Sequence, residues 1–173
     1  MQPNDILCAE RERSAKLVLK YSQISATWLT KILRRNNYNV EVKHFTIEKV
    51  GTGQLGETRR FHLKYESPNQ NCPATLIGKF PSDDQTAANT GRDMGFYKAE
   101  VMFYKELAER SRINTPKALH AQLDDQNNFV LILEDLYPAK QGDHMTGCSI
   151  ENVRAGLKEA ALLHSAFWND REL

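Results

Sequence analysis

The chain has 173 residues, of which 40% are hydrophobic, 26% charged and 9% aromatic, enough apolar material for a core and too much for a disordered chain. Lysine and arginine number 23 against 22 aspartate and glutamate, so the net charge is +1 and nucleic-acid binding is disfavoured. No stretch approaches the roughly 20 apolar residues of a membrane helix, so we predict a cytoplasmic protein without a membrane partner.

The first half of the chain alternates between two periodicities. Apolar residues at helical spacing predict a helix over residues 25–36. Residues 40–50 and 60–65 then alternate apolar with polar, which predicts two strands joined as a hairpin, and residues 74–80 predict a third strand. The polar run 82–93 carries no period, and we expect a surface loop there.

The second half returns to a helical period over residues 95–110. Phe96, Phe103 and Leu107 lie on the expected apolar stripe, and Tyr97, Val101 and Tyr104 lie beside it. Two further strands, at 118–122 and 129–133, flank a turn rich in aspartate and asparagine. A final helix follows over 149–168. This order predicts an α+β fold, in which a five-stranded antiparallel sheet carries the helix 95–110.

Few residues suggest a metal or disulfide framework. The cysteines Cys8, Cys72 and Cys148 are widely spaced and form no C-x-x-C, so we expect free thiols. His144 and Cys148 are four residues apart, but no further ligands accompany them. We therefore expect no residue of this chain to bind a metal ion.

A glycine-rich loop lies between the first two strands, where Gly51, Gly53 and Gly56 match the pattern G-x-G-x-x-G. Residues after Gly56 alternate with a period of two, so the loop does not open a helix as it would in a dinucleotide-binding fold. It instead joins antiparallel strands, as the phosphate-covering loop of a kinase does. An ordinary glycine-rich hairpin turn is the alternative interpretation.

Two charged residues follow the loop at positions where a charge needs a partner. Lys79 ends the third strand among apolar neighbours, and Glu100 falls on the apolar stripe of the helix 95–110. An ion pair between them would offset the cost of desolvating both. The alternatives are a lysine that extends from the strand end into water and a surface carboxylate that pairs with Lys98 or Lys105.

The last strand is apolar and stops at Glu134 and Asp135. A kinase places its hinge at this point, and main-chain groups there hydrogen-bond the adenine edge. A strand that exits into solvent would have the same sequence.

Taken in order, the segments GTGQLGET, LIGKF, FYKAEVMFYKEL, VLILEDL and ALLHSAFW resemble the aminoglycoside phosphotransferase and choline kinase-like superfamily, and most closely its ecdysteroid kinase-like members. The resemblance implies a protein kinase-like fold that uses ATP and magnesium to phosphorylate a hydroxyl group of a small molecule. It implies that the loop residues Gly51, Thr52, Gly53, Gln54 and Gly56 bind the phosphates of ATP.

The same resemblance assigns roles outside the loop. Lys79 would contact the α- and β-phosphates, Glu100 would hold Lys79, and main-chain atoms of Glu134 and Leu136 would meet adenine. His164 belongs to the family's leucine-leucine-histidine helix motif, where we expect a structural role in the core. Residues 1–136 would form the N-terminal lobe, with a hinge near 133–137, and 137–173 would begin the C-terminal lobe.

The family's catalytic loop, H-G-D-x-x-x-x-N, has no match in this sequence, and neither has its later magnesium-binding aspartate. We therefore expect a chain that lacks the catalytic base and the magnesium ligands. Two hypotheses remain open: the ATP-binding part of a small-molecule kinase, or a non-catalytic binding or interaction module on the same scaffold. The last helix is expected to expose an apolar face and to favour self-association.

Overall fold

The computed structural model describes residues 20–51, 53–67, 71–143 and 145–170. In chain order the helices and strands are α1 (Ala26–Arg35), β1 (Val42–Lys49), β2 (Gly56–Tyr65), β3 (Thr75–Pro81), α2 (Gln85–Asp93), α3 (Phe96–Met102), β4 (Ala118–Leu123), β5 (Phe129–Glu134) and α4 (Ile150–Ala166). A 3₁₀ turn (Tyr21–Gln23) precedes α1, and a π-helical turn (Phe103–Leu107) follows α3.

The five strands form one sheet in the order β1-β2-β3-β5-β4, and every neighbouring pair is antiparallel. The predicted α+β class with a five-stranded antiparallel sheet is therefore confirmed. In the centre of the sheet, Lys79 of β3 lies opposite Thr58 of β2 and Leu131 of β5. Because opposite residues share a face, these three side chains stand on the same side of the sheet.

Each face of the sheet carries a separate hydrophobic core. On one face, Leu29 and Leu33 of α1 pack with Phe61, Phe80 and other strand residues. On the other face, Tyr97 and Val101 of α3 pack against β5 through Phe129, Leu131 and Leu133. The second core places α3 across the face that presents Lys79.

The expected loop over residues 82–93 is wrong, because residues Gln85–Asp93 form the helix α2. Asp84 caps its first turn, since the Asp84 side chain accepts a hydrogen bond from the Ala87 amide at 2.8 Å. The buried face consists of Ala88 and Gly91. Such small residues bury against neighbours without producing the strong apolar period that signals a helix in sequence.

The expected apolar stripe of α3 is also wrong in phase. The residues that bury completely are Tyr97 and Val101, whereas Phe96 is 48% exposed. After Met102 the helix widens, and the Ala108 amide donates to the Phe103 carbonyl five residues before it at 2.8 Å. This wider turn changes the helical phase after Phe103, so Leu107 does not continue the 3.6-residue spacing that begins at Phe96.

The last helix, α4, begins after the cap Ser149 and exposes Ile150, Val153 and Leu157. It meets the rest of the chain where Glu159 accepts hydrogen bonds from the main chain and side chain of Asn114, at 2.9 and 2.8 Å. The expected exposure of this helix is thus observed. His164 is exposed as well, so the expected core role for it is wrong. Among the described residues, no helix is long and apolar enough to cross a membrane.

Candidate functional site

A pocket of about 380 Å³ lies beneath the glycine loop, between the sheet and α3. The loop and the start of β2 form one wall, β3 and β5 form the floor, and α3 closes the other side. Its lining residues are Gly53, Gln54, Leu55, Gly56, Glu57, Thr58, Lys79, Phe80, Phe96, Tyr97, Glu100 and Phe129. Five of the residues singled out from sequence therefore share one cavity.

An ion pair occupies this pocket, in which Lys79 Nζ donates to the Glu100 carboxylate. The pair follows from the geometry of the two elements, since Lys79 projects from β3 toward the face that α3 covers. Their side chains are 32% and 31% exposed, so both remain open to a ligand. Lysine has three N–H donors, and Glu100 is its one acceptor among the described residues. Two donors are therefore available for oxygen atoms of a ligand.

Tyr104 lies one helical turn beyond Glu100. Burial raises the pKa of its phenol, and the charge of Glu100 raises the pKa further. The phenol thus stays protonated and adds no negative charge beside the ion pair.

The glycine loop requires glycine at more than one position. Gly51 has a φ of +75°, in the region that other residues rarely adopt. A Cβ at Gly56 would stand 3.1 Å from the carbonyl oxygen of Phe80, so the loop lies close against the end of β3. Gly51 does not line the pocket, and Thr52 lies outside the described residues.

A second charged group stands at the base of the loop. Glu57 has Arg59 Nη2 at 2.6 Å from one carboxylate oxygen and Lys49 Nζ at 3.6 Å from the other. The Arg59 guanidinium also lies over the Tyr21 ring, 4.2 Å from its centroid. The group has one positive charge in excess, while Lys79 and Glu100 neutralise each other. Because Glu57 and Arg59 alternate with Thr58 along β2, their side chains point to the face of the sheet opposite Lys79.

The predicted hinge residues lie outside this pocket. The Glu134 amide donates to the Lys117 carbonyl at 2.9 Å, and the Leu136 carbonyl accepts from the Ala139 amide at 2.9 Å. The Leu136 amide has no acceptor among the described residues. This amide is therefore a candidate for contact with a ligand near the end of β5.

Sequence analysis missed an ion pair that holds the segment after β5 to the sheet. Arg60 of β2 contacts Asp135 through two nitrogens, with Nε–Oδ2 at 2.6 Å and Nη2–Oδ1 at 3.4 Å. Asp135 also accepts from the Tyr137 amide at 3.0 Å, and its side chain is 5% exposed. The sequence signal was an arginine among alternating strand residues, but its partner is 75 residues away.

Asp135 and Arg60 each shift the pKa of the other. Burial by itself raises the pKa of the Asp135 carboxyl, but hydrogen bonds from Arg60, Thr75 and the Tyr137 amide outweigh burial and lower it overall. The hydrogen bond with Asp135 raises the pKa of the Arg60 guanidinium, and the nearby Glu48 adds to this. Both groups therefore stay charged, and the segment that follows β5 is held by a charge-assisted, two-point contact.

A second cavity, of about 550 Å³, lies at the end of α4 and is lined by Leu163, His164, Phe167, Trp168 and Asn169. It is larger than the pocket beneath the glycine loop but contains no acidic or permanently cationic side chain. Within the described part of the chain, no three histidine, cysteine, aspartate or glutamate side chains stand close enough to hold a metal ion. In the loop pocket, by contrast, Lys79 has two N–H donors available to an anionic ligand.

Comparison with solved structures gives a distant likeness in fold. No protein-family model matches the chain, and no curated protein matches it at a significant level. A crystal structure described as "Putative fructosamine-3-kinase" from Haemophilus somnus 129PT aligns with a TM-score of 0.44 and 20% sequence identity. The alignment covers 79% of this chain and 38% of that one. A likeness this distant carries no argument about activity, so the case for function depends on the geometry of the pocket.

Proposed function

We propose that this chain binds ATP, with the triphosphate in the pocket beneath the glycine loop, and that it is the nucleotide-binding part of a small-molecule kinase. The observation that carries the proposal is the Lys79–Glu100 ion pair, set in a pocket that a glycine-rich strand-to-strand loop encloses. Each feature alone is common. Their combination supplies a fixed cation, free N–H donors and a close-lying main chain at one place.

Each residue would have a defined task in such a complex. Main-chain amides of Gly53, Gln54 and Gly56, which line the pocket, would donate to phosphate oxygens. Lys79 would donate its two free N–H groups to the α- and β-phosphates, and Glu100 would hold the ammonium group in place. The free Leu136 amide and the main chain at Glu134 would bind the adenine edge.

The reaction of the whole enzyme would transfer the γ-phosphoryl group of ATP to a hydroxyl oxygen of a small molecule, and release ADP and a proton. Magnesium would neutralise charge that develops on the phosphates during transfer. The residues described here would bind and orient the donor, since the sequence contains no H-G-D-x-x-x-x-N catalytic loop. The acceptor class expected from the ecdysteroid kinase-like resemblance is a hydroxyl compound.

A non-catalytic nucleotide-binding or interaction module is the second candidate, and the missing catalytic loop favours it. The two candidates make the same prediction for binding and opposite predictions for chemistry. If the chain is part of a kinase, ATP is consumed when two further components are present: a protein that supplies the catalytic loop, and a hydroxyl acceptor. In the second, ATP binds and is recovered unchanged.

Calorimetric titration of the chain with ATP, ADP and adenosine tests the proposal. We expect affinity to fall in that order, because the loop pocket would recognise phosphates and adenosine would keep only the contacts near Leu136. Equal affinity for all three ligands, or no binding of ATP at millimolar concentration, would refute the proposal.

A further inference from the structure

Tyr97 is a buried residue of the loop pocket that the proposed function does not yet use. It is the second residue of α3, and its side chain is only 3% exposed. Its ring packs on Phe129 of β5, with centroids 4.6 Å apart. Its hydroxyl donates to the Leu55 carbonyl of the glycine loop and accepts from the Ser82 amide at 3.3 Å. One hydroxyl thereby joins the glycine loop, the segment after β3 and α3.

The neighbouring helix α2 leaves room for this hydroxyl at Gly91. A Cβ added at Gly91 would lie 2.4 to 2.7 Å from Cζ, Cε1 and the hydroxyl oxygen of Tyr97, far inside van der Waals contact. Gly91 is buried in α2, where glycine costs helix stability relative to alanine. The glycine is accounted for by the space that the end of the tyrosine ring needs.

Tyr97 and Glu100 lie three residues apart on α3 and so share one side of the helix. Tyr97 contacts the loop above the pocket, while Glu100 contacts Lys79 on the floor. A shift of α3 away from the sheet would break both contacts together. The position of the loop is thus linked to the position of the ion pair through one rigid turn of helix.

From this geometry we infer that Tyr97 is a positioning residue that holds the glycine loop down over the pocket whenever Glu100 holds Lys79. The inference rests on the proposed function for its ligand, a nucleoside triphosphate, but the anchoring contact exists in the protein alone. The tyrosine would not touch ATP. It would raise triphosphate affinity by holding the loop amides in place before binding, which lowers the entropy lost on binding.

The test uses Tyr97→Phe, which removes only the hydroxyl, and Tyr65→Phe as a matched control. The Tyr65 hydroxyl also donates to a main-chain carbonyl, that of Pro73 at 2.7 Å, at the far end of β2. Hydrogen exchange over residues 50–56 is measured without ligand, and affinities for ATP and adenosine are measured in the same proteins. Gly91→Ala is a second variant that displaces the ring while it keeps the hydroxyl.

For Tyr97→Phe we expect loop exchange to accelerate about fivefold and the ratio of ATP to adenosine affinity to fall about fivefold, the factor that corresponds to one neutral hydrogen bond of about 1 kcal/mol. Tyr65→Phe should change neither quantity, and Gly91→Ala should resemble Tyr97→Phe. A variant that only loses global stability would weaken ATP and adenosine equally.

The outcomes separate the two proposals. Faster loop exchange in Tyr97→Phe, together with a wild-type chain that does not bind ATP, supports the anchor and overturns the nucleotide assignment. Unchanged loop exchange, or an equal change in Tyr65→Phe, overturns the anchor even if the wild-type chain binds ATP. If Gly91→Ala fails to fold, Tyr97→Phe still decides.

Discussion

Replacement of Lys79 by methionine is the most direct test of the loop pocket. Methionine keeps most of the aliphatic length of lysine and removes the charge and all three donors. In the proposed complex this deletes one or two charge-assisted hydrogen bonds to phosphate. Hydrogen bonds to charged groups contribute about 1.5–3 kcal/mol. At about 1.4 kcal/mol per tenfold change, the loss of a single such bond should lower ATP affinity about 10- to 150-fold, and the loss of two should lower it further.

The same substitution should have little effect on folding. Lys79 and Glu100 are each about a third exposed, so water can solvate the carboxylate that is left behind. Exposed ion pairs contribute about 0.2–1 kcal/mol, and in a chain of this size 1 kcal/mol shifts the melting temperature by about 2–4 °C. Thermal melting should therefore show a small shift beside a large loss of ATP affinity.

Calorimetric titration with ATP and with adenosine, repeated on Lys64→Met, provides the comparison. Lys64 lies on β2, and it is an exposed lysine away from the pocket. We expect Lys79→Met to weaken ATP and to leave adenosine unchanged, and Lys64→Met to change neither. An equal loss for ATP and adenosine would show that Lys79 does not contact phosphate. Unchanged ATP affinity would refute its assigned role altogether.

Three further predictions concern folding and assembly. Because the pKa of Asp135 is lower in the folded chain, the Arg60–Asp135 pair should stabilise the protein above about pH 4 and lose this contribution as the pH falls further. Asp135→Asn should therefore be less stable at neutral pH but show a flatter acid denaturation profile. An acid profile identical to that of the wild type would contradict this. Leu131→Ala, in the core beneath α3, should lower the free energy of unfolding in urea by about 2–5 kcal/mol, and a loss below 1 kcal/mol would mean that the second core is not packed as described. Leu157 is 65% exposed on α4, so Leu157→Ser should reduce self-association in analytical ultracentrifugation without lowering stability. A wild-type chain that is monomeric at all concentrations would contradict the expected association.

The sheet could be predicted because its signal is local. Period-two alternation over β1 and β2, a glycine loop of a few residues between them and a polar turn before β5 specify antiparallel neighbours without any knowledge of distant contacts. The expectation that Lys79 pairs with Glu100 also followed from local patterns, since each charge lies within an apolar surrounding that penalises an unpaired charge. The structure contains the five-stranded sheet and the Lys79–Glu100 ion pair.

The helices α2 and α3 show where local patterns mislead. The buried face of α2 consists of Ala88 and Gly91, and nothing in their size indicates burial until the Tyr97 ring is placed against them. In α3, Tyr97 and Val101 are buried instead of Phe96, and a π-helical turn changes the number of residues per turn after Met102. The packing of α3 against β5 determined which side of the helix is buried, and hydrophobicity alone did not determine which aromatic residues became buried.

The sequence by itself determined the five strands, the helices other than α2, the glycine loop and the two charges that need each other. Only the tertiary structure decided which side chains act on that loop and on the segment after β5. Arg60 meets Asp135 across 75 residues, and Tyr97 meets the Leu55 carbonyl across 42. Neither residue interrupts a local pattern, since an arginine suits an alternating strand and a tyrosine suits an amphipathic helix. Such contacts depend on how the sheet and helices pack, and residue spacing along the chain does not contain that information.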